Sequence, residues 1–149
     1  MINADGLGGY VLDAAGGLHP FKIGASSAMP PAANTPDTYG TADVMRAFAM
    51  LADGKGGYIL DSAGGLHRFA TGDNPLPAVA TPSWYRANSV RGLFLLADGK
   101  GGYVLDAAGR MNPFKVGDNP MPVSIFTPDM WPADLARGVA AVTNGVVPV

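Results

Sequence analysis

The sequence predicts an all-β fold: three four-stranded repeats of about 46 residues, set around an axis like the blades of a β-propeller. Three observations predict it. One phrase is written three times, as "NADGLGGYVLDAAGGLHPF" at 3–21, "LADGKGGYILDSAGGLHRF" at 51–69 and "LADGKGGYVLDAAGRMNPF" at 96–114. A second set of landmarks keeps the same rhythm: Thr35-Pro36, Thr81-Pro82 and Thr127-Pro128, each followed by an aromatic (Tyr39, Tyr85, Trp131) and then by Arg46, Arg91 and Arg137. Finally, 21 Gly and 13 Pro without collagen spacing, among aromatic and β-branched residues, signal short strands joined by tight turns.

The strands follow in order within each unit. "RAFAMLA" (46–52), "RGLFLLA" (91–97) and "RGVAAV" (137–142) are short apolar runs without polar alternation, so a strand covered on both faces is expected. "DGKGG" is a turn in which Gly supplies positive φ wherever it is demanded. "GYILD" and "GYVLD" make the second strand, and Asp-x-x-Gly closes a hairpin. There Asp13, Asp61 and Asp106 bond the turn backbone while Gly takes the left-handed position. "GLHPF", "GLHRF" and "RMNPF" make the third strand, whose Pro20 and Pro113 cannot donate to a ladder and so belong toward an edge. A weaker fourth strand is read at "PAVAT" (77–81) and "VSIFT" (123–127). Helical character is confined to one turn at "PADLAR" (132–137).

Units two and three open with a full first strand, whereas unit one has only "MINA" before Asp5-Gly6. After the third Arg the chain reads "RGVAAVTNGVVPV". Asn144-Gly145 falls seven residues past Arg137, as Asp53-Gly54 and Asp98-Gly99 fall seven past Arg46 and Arg91. The expectation is a circularly permuted array in one domain, 1–149, with the last strand closing on the first hairpin. Unit one spans about 1–40 and is completed by a strand at 137–145; unit two spans about 41–85 and unit three about 86–131. In that arrangement 138–142 pairs beside 9–13. Propellers ordinarily have ~4–8 blades, so three units suggest half of a six-bladed ring, completed as a homodimer. A three-fold β-prism and a β-trefoil compete; both close within one chain, and the trefoil calls for clearer alternation.

The consensus of the phrase, DGxGGYVLDxxGGLHPF, with the connector "WPADLARGV" at 131–139, resembles the Gly-rich propeller-type blade repeats of bacterial, notably actinobacterial, proteins. The similarity spans nearly the whole chain, although unit two departs from the connector with "TYGTADVMRA". It implies a β-propeller-like fold and brings no catalytic residues with it.

Composition excludes several functions. Net charge is −2, and the ten Lys and Arg are scattered singly, so no basic footprint for nucleic acid is present. Zero Cys removes disulfides, thiolate metal sites and a Cys nucleophile. No run approaches the ~20 apolar residues of a membrane helix, and "MINADGLGGY" lacks the regions of a signal peptide. No compartment is assigned.

No cofactor is expected either. His19 and His67 are repeat equivalents, but the third equivalent is Asn112, and zinc wants three or four good donors. The two imidazoles are read as packed strand residues. Asp5, Asp53 and Asp98 give one carboxylate per loop, too few for the ~6–8 oxygens of calcium. "GKG" at 99–101 lacks the spacing of a phosphate loop. Tyr39, Trp84, Tyr85 and Trp131 stand on Pro-rich connectors where aromatics line shallow pockets for sugars or peptides, with packing between blades as the favoured alternative. Arg46, Arg91 and Arg137 could read an anionic ligand. Pairing with a carboxylate such as Asp43 or Asp134, or capping of carbonyls, is the stronger reading.

No Ser-His-Asp grouping occurs, and a symmetric array suits multivalent binding better than catalysis. The expected function is a non-catalytic binding module for glycan or peptide, not an enzyme. A purely structural assembly protein, such as a virion or surface component, and an engineered propeller fragment are the alternatives.

Overall fold

A computed structural model describes residues 6–35, 44–82, 89–125 and 134–139 of the chain. The fold is all-β, and the described residues contain antiparallel sheets and no helix. Strands β1 (Gly8–Leu12) and β2 (Leu18–Lys22) form a hairpin in the register Tyr10↔Pro20. β3 (Ala33–Asn34), β4 (Met45–Met50), β5 (Gly56–Asp61) and β6 (Leu66–Thr71) make a sheet in the order β3-β6-β5-β4. β7 (Ala80–Pro82), β8 (Val90–Leu95), β9 (Gly101–Asp106) and β10 (Met111–Val116) repeat it as β7-β10-β9-β8.

Both sheets are therefore Greek keys, three hairpin-connected strands with the first strand in sequence lying beside the last. The outer strand differs from the sequence expectation in its pairing. Segment 77–81 was expected to end its own unit, whereas Thr81 and Ala80 pair with Lys115 and Val116 of the next one. Residues 123–125 carry no strand, and 126–127 lie outside the described residues. Residues 134–137 are not helical.

Alternation along β5 explains how the layers stack. Tyr58 and Leu60 join a core with Val90, Leu93, Leu95, Val104 and Phe114 of the second sheet. Ile59, between them, joins Tyr10 and Leu18 of the hairpin. One sheet is thus covered on both faces, as the unbroken apolar runs imply. Across the sheet–sheet interface the rings of Tyr58 and Phe114 meet edge to face, 6.5 Å apart at 63°. Each such side chain, fully buried, contributes about 1.5–3 kcal/mol of apolar burial.

Two residue patterns acquire reasons the sequence did not disclose. In the Gly-Gly pair the second glycine serves close packing: a Cβ on Gly57 would collide with the Ala49 carbonyl and lie 2.9 Å from the Phe69 ring. In that stretch it is the glycine after the Asp, Gly6, Gly54 and Gly99 at φ 71, 70 and 68, that takes the left-handed turn position. The recurrent Arg is a bulge residue. Met45 faces Asp61 and Ala47 faces Leu60, so Arg46 is the extra residue on its strand, and the ladder shifts in the same way around Arg91.

Segment 134–139 lies beside the second sheet. The amides of Leu135 and Ala136 donate to the Ala107 carbonyl at 3.2 and 3.3 Å. Those of Val44 and Met45 donate to the Ala14 carbonyl at the same distances. Val139 covers Gly92 of β8, its Cγ1 3.0 Å from where a Cβ would stand. Gly138 and Val139 carry no strand pairing, and residues 140–142 of the expected closing strand lie outside the described residues.

Candidate functional site

The β4–β5 turn and the connector after β6 enclose a groove of about 290 Å³. Leu51, Asp53 and Lys55 form one wall, Pro75, Leu76 and Pro77 the other, with Gly56 between them. The turn wall is set by Asp53, whose Oδ1 accepts the Lys55 amide at 3.0 Å. Thr71 ties the walls together: its amide donates to the Lys55 carbonyl at 3.0 Å and its hydroxyl to the Gly54 carbonyl at 2.8 Å. On the connector, the Asn74 side chain donates to the Thr71 carbonyl at 2.6 Å.

The repeated tyrosine holds the connector in place. Tyr58 donates its phenol to the Ala78 carbonyl at 2.7 Å, as Tyr10 does to Pro31 and Tyr103 to Val123. Burial pushes the Tyr58 hydroxyl up to about 12, so it remains a donor at any ordinary pH. Arg68 adds a second tether, donating to the Pro77 carbonyl at 3.2 Å. The groove is apolar with one charge of each sign on its turn wall. It lies just below the ~300–1,000 Å³ of small-molecule sites, which suits one or two residues of a peptide rather than a cofactor.

The hairpin aspartates carry the other repeated polar cluster. Asp61 Oδ1 accepts the amides of Ala63 and Gly65 at 2.7 and 2.9 Å, and Oδ2 accepts Nε2–H of His67 at 2.7 Å. Asp13 does the same with Ala15, Gly17 and His19. The His19 hydrogen bond, helped by that of Gly17, holds the Asp13 carboxyl below its ordinary value. Unit three keeps the backbone bonds, Asp106 Oδ1 accepting the amides of Ala108 and Arg110 at 2.9 Å, and replaces the histidine: Arg110 Nε stands 3.9 Å from Asp106 Oδ2, while Asn112 turns to backbone carbonyls. With both oxygens of Asp13 and Asp61 occupied, these pairs lock turns. Among the described residues no group of three His, Cys, Asp or Glu could hold a metal ion.

Of the residues singled out in the sequence, Tyr39, Trp84, Tyr85 and Trp131 lie outside the described residues, as does Asp43. The three arginines are described. Each folds back onto the carbonyl before it: Arg46 on Met45 at 2.9 Å, Arg91 on Val90 at 2.7 Å, Arg137 on Ala136 at 2.8 Å. Asp134 brings two of them together, accepting from Arg91 Nε at 3.0 Å and from Arg91 Nη2, and from Arg137 Nη1 at 3.0 Å. The Arg91 hydrogen bonds, more than Arg137, hold the Asp134 carboxyl below its ordinary value. The groove residues escaped the sequence reading. Their signal was the Pro-flanked pair "NPLPA" at 74–78 and "NPMPV" at 119–123, twenty residues after a repeated tyrosine. No known family, curated protein or solved structure matches the chain.

Proposed function

We propose that the chain is a non-catalytic, self-associating β-repeat module, half of a six-bladed propeller closed by a second copy, which binds a peptide or glycan ligand at its rim. One observation carries the reading. Segment 134–139 reproduces the start of an inner strand: paired amides on the preceding hairpin's carbonyl, and an Arg folded onto the carbonyl before it. A further hairpin would complete a sheet on that strand, and β1–β2 of a second copy is of the matching kind. An isologous pair of such contacts gives a closed two-fold ring.

The ligand half of the proposal is supported by the apolar groove with its two rim charges. Sedimentation equilibrium tests the assembly: a species of twice 15.2 kDa is expected, and a monomer at all concentrations overturns it. Peptide and glycan arrays test the binding. A reproducible hit that Leu76→Ala abolishes supports it, and silence on both arrays leaves assembly alone as the function.

A further inference from the structure

The three units differ at one point of the groove. In units one and three a proline sits on the first glycine of the Gly-Gly pair. Pro30 Cγ is 2.9 Å from the place of a Cβ on Gly8, and Pro122 Cγ is 2.8 Å from that on Gly101. Unit two has the same proline, Pro77, and the same glycine, Gly56. Yet the three atoms nearest the Cβ position of Gly56 all belong to Phe69 and Ala70, the third at 3.4 Å. No atom of Pro77 comes closer than that third one, whereas Pro30 and Pro122 reach within 2.9 Å of their glycines' Cβ positions. Arg68 sets unit two apart: it donates to the Pro77 carbonyl at 3.2 Å, and its equivalents in the other units, Pro20 and Pro113, have side chains with no such donor.

We infer that the unit-two groove is the docking position for a proline of a partner peptide, left open because Arg68 draws the chain's own proline aside. This rests on the binding reading above and names its ligand class. The molecule supplies the template itself, since Pro30 and Pro122 show a pyrrolidine ring seated on bare glycine backbone. Ring and glycine suit each other: the rigid ring loses little entropy on docking, and no Cβ keeps it off the backbone. Charge complementarity narrows the occupant further. The side chains of Asp53 and Lys55 make no ion pair among the described residues, so a basic and an acidic residue flanking the proline would find partners.

The test uses amide chemical-shift titration of the full chain with the peptide acetyl-Asn-Pro-Met-Pro-Val-amide, which copies 119–123, and with the same peptide carrying Ala in place of its second proline. Saturable shifts centred on Gly56 and Lys55 are expected, weakened about tenfold by the Ala peptide, a difference of ~1.4 kcal/mol. Arg68→Met should weaken the first peptide similarly. It should also strengthen the nuclear Overhauser contact between the Pro77 ring and Gly56, a change that loss of fold would not cause. Equal shifts with both peptides overturn the inference, as does the absence of saturation. If an array ligand without proline still maps to this groove, the inference falls while the binding reading stands; if no array ligand maps there, both fall.

Discussion

Gly65 is allowed no side chain for a reason that has nothing to do with turn geometry. A Cβ there would lie 3.1 Å from His67 Nε2 and closer still to Asp61 Oδ2, in the space through which the imidazole reaches the carboxylate. The sequence "AGGLH" thus couples two positions, and unit three changes both, to Arg110 and Asn112. That coupling predicts a double-mutant cycle. Gly65→Arg alone overpacks the hairpin and His67→Asn alone leaves a carboxylate oxygen unpaired, each costing about 1–3 kcal/mol. Together they should cost clearly less than the sum, because arginine takes over the carboxylate; urea midpoints that add simply would refute the coupling. Asp134 makes a second prediction at this scale. Its folded pKa lies below the ordinary 3.8, so its contribution is present above that value and lost as pH falls through the lower folded one. Asp134→Asn should flatten the acid limb of the stability curve below pH 3.8 and leave the neutral region's slope unchanged. An acid limb identical to the parent's would show that the Arg91 and Arg137 bonds do not persist in solution.

At the scale of the element, the connector is a wall only because a tyrosine from the middle of a sheet reaches out to it. Tyr58→Phe removes one hydrogen bond and orphans the Ala78 carbonyl, for a cost of about 1 kcal/mol. Amide exchange at 75–79 should quicken while that of β5 does not; uniform quickening would mean the bond supports the whole sheet instead. The sign of the alkaline effect is also set. A phenol pushed up to about 12 from 10.0 favours the fold below pH 10.0, an advantage that disappears as pH rises through 12. Tyr58→Phe should abolish that alkaline loss. The hairpins themselves were legible before the structure, because strand β5, the Asp-x-x-Gly turn and strand β6 are specified within twenty neighbouring residues. β3 and β7 were not. They are two and three residues long, and their partners are chosen by the stacking of layers rather than by their own pattern. The Arg bulge was equally hidden, since an extra residue in a ladder leaves no mark on an apolar run. The groove was hidden for a related reason: its walls, the β4–β5 turn and the connector after β6, come together only in the folded chain.

Among the described residues the layers pack in sequence: the hairpin meets the first sheet, the first sheet meets the second, and β4 runs beside β8. Such a stack gains stability from every added interface and presents an apolar face wherever it stops. Segment 134–139 covers part of β8, and the contact that seats it is narrow: Val139 on Gly92, with Leu105 Cβ at an ordinary 3.6 Å from the same point. Gly92 has the backbone of an ordinary strand residue, and its equivalent in β4 is Ala47, so β8 itself tolerates a side chain there. Gly92→Val should accordingly leave the two sheets folded and cooperative while lifting Val139, and with it segment 134–139, on which the proposed second copy would pair. The parent is expected at twice 15.2 kDa and the variant at 15.2 kDa under the same conditions, with unfolding still a single transition. A variant that keeps the parent's mass would remove segment 134–139 from the interface and, with it, this route to a closed ring.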